Sequence, residues 1–444
     1  MHLEGKNITF RRNRSASDPN RVLILLGLLV VSLIILRSVE NKDIVSPFQP
    51  TPYPTRNTNS FKLEAETHFL AGDLNKAIET YQGAVEVAPD DGSLWREMAR
   101  IQTYSSSLLT TDEEKLTRLK EALASADKGV ELTPEDSSAH AIRALTLNWL
   151  ANPSLVGTEV DSYITQADQE AVRALQLDNQ NTLALVFYAE ILNDQQKWEQ
   201  ALQYITQALE KDPSVLDVHR VAGGIQETLG DYGEAINEYK KAIEINPNWT
   251  YLYISIGLNY RVLQQFEMAL EYFAKAASIN ETLGLKDPVP YIAIGKTYSQ
   301  MGEFFIASRN MEKALTYNPY SPDVYGQLGI TYFKAKNYEG SIAPLKCAIK
   351  GCTAEETCAI RTCDPAVDPN IAIQGMPLSP NTVVYFYTYG SVLAALHRPS
   401  NDQCTEAVTY LGMVRDGFPE DLVIIPIVEE SENICASYGI TRKR

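Results

Sequence analysis

Apolar positions along this chain return at a fixed interval. Ala167, Ala201, Ala235 and Ala269 stand 34 residues apart; Ala77 and Ala122 precede them, and Ala307 and Ser341 follow. In units without insertions a second small residue lies twelve before the alanine: Ala65, Ala189, Gly223, Gly257, Gly295 and Gly329. A third lies seven after it, at Ala84, Ala174, Ala208, Ala242, Ala276, Ala314 and Ala348. Proline closes most units twelve after it, at Pro89, Pro134, Pro213, Pro247, Pro319 and Pro419. This pattern predicts two helices per period. Small residues let antiparallel helices approach closely, larger ones (Tyr81, Tyr239, Phe273, Tyr260, Tyr298, Tyr332) fill the gaps, and proline stops the second helix. Gly230 and Gly302 fall where the chain must turn between the helices. A period of 34 is the length of one helix-turn-helix unit of a solenoid, which works by presenting a long surface to a partner.

"Tyr253-Ile-Ser-Ile-Gly257-Leu-Asn-Tyr260" and "Tyr325-Gly-Gln-Leu-Gly329-Ile-Thr-Tyr332" carry a further resemblance. With the recurring alanines and prolines they resemble the tetratricopeptide repeat family. The resemblance covers eight units over residues 58–349 and a divergent ninth near 383–419. It implies an all-α fold: a right-handed superhelix of eight to nine helix-turn-helix repeats. Distortions of the period mark special places. The intervals Ala77 to Ala122 and Ala122 to Ala167 are 45, an excess of eleven residues, close to three helical turns. Longer helices are expected there, with Thr111 to Glu114 reading as a capping box. The interval Ala269 to Ala307 is 38, with a loop extension near Gly284 to Asp287, and Ser341 to Ala407 is 66.

Residues 22–36 form an apolar run broken only by Gly27 and Ser32, with Arg21 and Arg37 at its ends. Flanking arginines that snorkel extend such a run toward the roughly 20 residues a bilayer needs. No small-residue cleavage site follows, so a membrane anchor is favoured over a cleaved signal or a buried helix. Lys6, Arg11, Arg12, Arg14 and Arg21 precede the run, and only Arg37 and Lys42 follow closely, which puts the N-terminus in the cytoplasm. The proline-rich stretch from Val45 to Thr55 then acts as a spacer.

All six cysteines lie in the last hundred residues, at Cys347, Cys352, Cys358, Cys363, Cys404 and Cys435. An even count around an irregular insertion suits disulfides in an oxidising compartment. Cys404 and Cys435 lie nearly equidistant from the turn near Pro419, which predicts that they pair; the pairing of the other four stays open. Zinc is the alternative, but the spacing is C-x4-C-x5-C-x4-C, and His397 is the only histidine nearby.

The sequence carries 56 acidic against 39 basic residues, a net charge of −17, which argues against a nucleic-acid partner. "Gly295-Lys296-Thr297" resembles the end of a phosphate-binding loop, yet the required upstream glycine is Pro290. No catalytic signature, cofactor site, metal site or small-molecule substrate is read. Asn248-Trp-Thr250 and Asn280-Glu-Thr282 fit the glycosylation acceptor pattern but fall at unit junctions.

In the family the first helix of each unit lines the concave groove. Carried over by position, Tyr251, Ile254, Leu258, Ile292, Ile330, Phe333 and Tyr387 face inward, and Arg261, Lys296 and Lys334 sit among them in the groove. That apolar stripe edged with cations suits a protein or peptide partner, unless the insertion or the next superhelical turn covers it. A clamp of Lys and Asn for a C-terminal carboxylate is not reproduced; Arg96 and Arg100 lack the matching asparagines.

The expected organisation is a basic cytoplasmic tail (1–20), a transmembrane signal-anchor helix (21–38) and a Pro-rich spacer (39–57). Repeats one to eight follow (58–350, with longer helices over 92–181), then a Cys-rich insertion (351–382) and a divergent repeat with a capping helix (383–444). The function read from this is a non-catalytic, membrane-anchored scaffold that docks cell-envelope proteins outside the cytoplasm. The alternatives are a structural subunit of an envelope-assembly, export or polysaccharide-synthesis complex, and a thiol-disulfide role for the insertion, which lacks any C-x-x-C.

Overall fold

The computed structural model describes residues 18–40, 57–109, 111–364 and 366–442. Most of the basic tail and the spacer over 41–56 lie outside the described residues. The chain forms two units, residues 1–57 and 58–444. In the first, α1 (Pro19–Glu40) is one continuous helix. Residues Pro19–Ser38 have mean hydropathy 2.3, long and apolar enough to cross a membrane.

The second unit is a stack of antiparallel helix pairs. Unit one pairs α2 (Thr58–Leu70) with α3 (Leu74–Val87), and unit two pairs α4 (Gly92–Ser105) with α5 (Asp112–Leu132). Unit three joins α6 (Ser137–Leu150) to α8 (Val160–Leu177) through the short α7 (Pro153–Val156). Unit four is α9 (Thr182–Asp194) and α10 (Trp198–Lys211); unit five is α11 (Leu216–Leu229) and α12 (Tyr232–Ile245). Unit six is α13 (Thr250–Val262) and α14 (Phe266–Thr282); unit seven is α15 (Val289–Met301) and α16 (Phe304–Tyr317). Unit eight is α17 (Pro322–Lys334) and α18 (Tyr338–Lys350). An insertion carries β1 (Gly351–Cys352), α19 (Ala354–Arg361) and β2 (Ile373–Gln374), and α20 (Val383–Leu396) and α21 (Cys404–Gly417) make a ninth pair capped by α22 (Ile424–Ser437).

The recurring small residues are where the helices touch. Ala77, Ala122, Ala167, Ala201, Ala235, Ala269, Ala307, Ser341 and Ala407 are all completely buried. A Cβ on Gly257 would sit 2.4 Å from the Phe273 ring, and one on Gly329 would sit 2.6 Å from Leu345. The large side chain of the second helix therefore occupies the space the first helix's glycine leaves open. Extra methylenes at such contacts cost roughly 1–3 kcal/mol each.

The turn between the helices needs a left-handed residue, and the position repeats as regularly as the alanines. Gly72, Gly230 and Gly302 hold it, but so do Gln196, Gln264 and Lys336, at φ of 61°, 59° and 62°. Gly351 at φ +85° serves a different purpose: its Cβ would lie 2.4 Å from the Ile373 carbonyl oxygen across the two-residue β1–β2 pair. Between units, the fourth residue of the first helix pins the preceding proline. Trp95 Nε1, Tyr253 OH and Tyr325 OH donate to the carbonyls of Pro89, Pro247 and Pro319, each six residues earlier. His140 Nε2 and His219 Nε2 lie 3.0 and 2.8 Å from the Pro134 and Pro213 carbonyls, in the same arrangement. These histidines are fasteners within the stack. Their other ring nitrogens meet Glu170 and Glu238, both at 2.6 Å, and the Glu170 hydrogen bond lifts His140 above its ordinary value.

The eleven-residue excesses are not spent on helix alone. The regular α12 has 14 residues, whereas α5 has 21, so seven of the first excess lengthen the helix and the rest widen the turn. The 18 residues of α8 take only four of the second excess; α7 and a 3-10 turn absorb the remainder. α5 does open on a capping box between Thr111 and Glu114. In unit six α14 continues to Thr282, so the extension near Gly284 is partly helix.

Candidate docking groove

The inward faces of the first helices behave differently in the two halves of the stack. In units one to six they converge on a plug of their own side chains. Tyr104, completely buried, donates to Asp217 Oδ1 at 2.6 Å, and its ring lies 4.8 Å from Trp249, 5.9 Å from Trp149 and 6.2 Å from Phe69. Burial beside Asp217 holds the Tyr104 phenol protonated far above the ordinary range. Arg220 donates to both carboxylate oxygens of Glu190 (2.8 and 2.7 Å) and to Asp217 (2.9 Å), and its guanidinium lies over the Tyr104 and Trp149 rings. Arg100 donates to Glu97 at 3.0 Å, and Arg96 pairs with Asp136 at 2.5 Å. The arginines weighed as a clamp are thus consumed inside the stack.

The plug is possible because unit one meets the junction of units five and six. Asn246 Nδ2 donates to the Phe69 carbonyl (3.3 Å) and Asn248 Nδ2 to the Leu70 carbonyl (2.9 Å). Gly72 lies against Asn248, where a Cβ would come within 2.6 Å of its carbonyl oxygen. This seam joins residues 177 apart in sequence. It also uses the amide nitrogen of Asn248, and Asn280 is buried with its amide nitrogen bonded to Asp287 at 2.8 Å. Both glycosylation-like asparagines are therefore engaged in holding the stack.

From unit six onward the inward face stays at the surface. Tyr251 stacks on Trp249 (5.2 Å, 27°) and marks the edge of the plug. Ile254 and Leu258 rest on Ala269, Phe273 and Ile294; Ile292 borders the cluster around Tyr291 and Leu315. Ile330 and Tyr387 lie on the cluster of Leu345, Tyr385 and Phe386, and Phe333 packs 5.7 Å from Tyr338. Nine of the ten inward residues are half-buried, and Lys334 is exposed. Nη1 of Arg261 is buried with no hydrogen-bond partner, and burial lowers its pKa. Tyr385, not foreseen from the sequence, crosses between units eight and nine: it donates to Asp323 Oδ1 and accepts from Gln327 Nε2, both at 2.6 Å.

The insertion packs at the junction ends of the helices. Ile371, Ile373 and Cys352 join Leu315, Tyr325 and Leu328 in one cluster, and Thr357 donates to the Ile371 carbonyl at 2.5 Å. The cysteines pair as Cys347–Cys352, Cys358–Cys363 and Cys404–Cys435. His397 accepts from the backbone N–H groups of Gln403 and Cys404 through Nδ1, both at 3.2 Å, and lies against Tyr438. Among the described residues no group of three or more His, Cys, Asp or Glu could hold a metal. Gly295, Lys296 and Thr297 lie in the middle of α15, not in a loop, and a Cβ on Gly295 would meet Met311 at 2.9 Å.

Comparison with known proteins agrees with the helix pairs. Residues 189–248 and 250–283 match two family models described as tetratricopeptide repeat. A stretch of 120 residues, 26% of this chain, is 31% identical to 22% of the BBSome complex member BBS4 of Bos taurus. Over 119 residues the chain is 27% identical to the general transcriptional corepressor trfA of Dictyostelium discoideum, across 8% of that protein's length. The chain thus matches about a fifth or less of these curated relatives. A tetratricopeptide-repeat protein of Thermus thermophilus aligns over 46% of this chain and 98% of its own, with 16% identity and a TM-score of 0.37.

Proposed function

We propose that this chain, a tetratricopeptide-repeat protein, is a non-catalytic scaffold held at a membrane by α1, which docks protein partners on the first-helix groove of units six to nine. The observation that carries the reading is the contrast between the halves. The inward side of units one to five is filled by the buried Tyr104, Asp217 and Arg220, whereas Ile254, Leu258, Ile292, Ile330 and Tyr387 are left half-exposed. Apolar surface retained at a groove is the signature of a site that buries it on binding. Anchorage is supported by the 20-residue apolar span, and export of the repeats by the basic residues preceding it and by the three cysteine pairs. Partners of this kind belong to the cell envelope.

A photo-crosslinking residue placed at Leu258 or Ile292 tests the groove, with the same residue at Asp161 on α8 as the off-groove control. The expected outcome is protein adducts from the first two positions and none from the control. Adducts of equal yield from Asp161 would remove the groove as the docking face. A single stoichiometric adduct would favour a permanent subunit over a docking scaffold. Added protease that spares the repeats in spheroplasts while digesting an exported control would reverse the topology.

A further inference from the structure

The groove of units six to nine treats its charges in the opposite way to the plug. In units one to five every inward arginine has a carboxylate within reach: Arg96 has Asp136, Arg100 has Glu97, and Arg220 has Glu190 and Asp217. In units six to eight the charged inward residues are Arg261, Lys296, Asp323 and Lys334. Asp323 already accepts from Tyr385. None of the three cations has a carboxylate within 4.0 Å among the described residues, in a chain whose net charge is −17. Unpaired cations also occur elsewhere on the described surface, as at Lys120, Lys197 and Lys336; what sets Arg261, Lys296 and Lys334 apart is their place beside one apolar groove.

Arg261 is the centre of it. Its Nη1 is buried and has no acceptor, and the neighbours on its own helix face are Leu258 and Ile254, which offer none. A guanidinium has five donors in a fixed fork that matches a carboxylate. Beside apolar walls such a pair is stronger than in water, because the local dielectric is lower. We infer that the occupant of this groove is an acidic peptide segment. One side-chain carboxylate sits on Arg261 and a second on Lys296, with apolar side chains between them on Leu258 and Ile292. The inference rests on the groove reading above and adds the chemistry of the partner. α13 and α15 are in contact. Packed helices lie about 8–10 Å apart, and an extended strand advances about 3.3 Å per residue. Carboxylates about three residues apart therefore match the two cations. Nucleic acid shares the negative charge but offers no apolar side chains to the stripe and meets the repulsion of the acidic body.

The test uses the full chain in detergent with defined probes. The first is a fluorescent twelve-residue peptide with Glu at every third position and Leu and Ser between; the second has Gln in place of every Glu; the third is a single-stranded oligonucleotide. The Glu peptide is expected to bind at least tenfold more tightly than the Gln peptide, and more weakly as salt rises. Arg261→Gln and Lys296→Gln are each expected to cost fivefold or more, Arg261→Lys less, and Lys128→Gln on α5 nothing. A thermal unfolding curve for each variant separates loss of binding from loss of fold. Equal binding of the Glu and Gln peptides, no binding of either, or preferential binding of the oligonucleotide would overturn the acidic-peptide assignment. The groove reading is judged separately, by the Leu258 and Ile292 adducts with native partners, and survives if only the charge dependence is missing.

Discussion

Burial lifts the carboxyl of Asp287 from 3.8 to about 6, although the Val289 N–H and Asn280 Nδ2 donate to it and Lys115 lies near. Between those values the folded chain keeps a proton that the unfolded chain has released, so stability falls as pH rises from about 4 to about 6. Above pH 6 the full penalty is present, on the order of 2–3 kcal/mol from the size of the shift. The Asp287→Asn variant removes the charge and keeps an acceptor for the Val289 N–H. Its new amide replaces the oxygen that accepts from Asn280 Nδ2, and turning the Asn280 amide over brings its buried, unbonded Oδ1 to that place. It is expected to be more stable than the natural chain at pH 7 and little different at pH 4, measured by denaturant unfolding at both. A gain that is the same at both pH values would mean the carboxyl is not the source.

At the scale of elements, the C-terminal cap is held by a bridge across a hairpin. Cys404 opens α21 and Cys435 lies near the end of α22, 31 residues later, both completely buried. A loop of that length is worth about 3–4 kcal/mol in the chain-entropy account. A stack of repeats transmits such a loss only to its neighbours. Replacing both cysteines by serine is therefore expected to speed amide exchange across α21 and α22 while leaving α9 to α14 unchanged. Uniform acceleration along the chain would show the stack to be one cooperative block. The elements were the legible part of the sequence. Small residues at 34-residue spacing can only be the meeting points of helix pairs, and Thr111 with Glu114 spells a cap. The interior of the groove was not legible. Tyr104, Asp217 and Trp249 are ordinary residues in units two, five and six, and the period does not say that they meet. The one local sign was Trp249 itself, an aromatic where units two, three and four begin their first helices after Asp91, Asp136 and Asn181. The same limit hid the split of the eleven-residue excesses between helix and turn, since both solutions keep the helix faces in phase.

At the scale of the second unit, the seam between unit one and units five and six turns a chain of nearest-neighbour contacts into a closed loop. Gly72→Val sets a β-branched residue at φ +81° against the Asn248 carbonyl and is expected to open it. Trp249, fully buried beside Tyr104, would then report the opening by a red-shifted emission, and α2 and α3 would exchange faster. Asn248→Ala removes one seam bond without strain and is expected to produce a smaller change in the same direction. Unchanged Trp249 emission in both variants would mean that the plug holds without the seam. The seam also sets a timetable. Phe69 and Leu70 leave the ribosome 177 residues before Asn246 and 178 before Asn248, their partners across the seam. At 5–20 residues per second, roughly 10–35 s pass before the first helices meet the groups that cover them. During synthesis unit one, although made first, waits for the start of unit six before its seam can close.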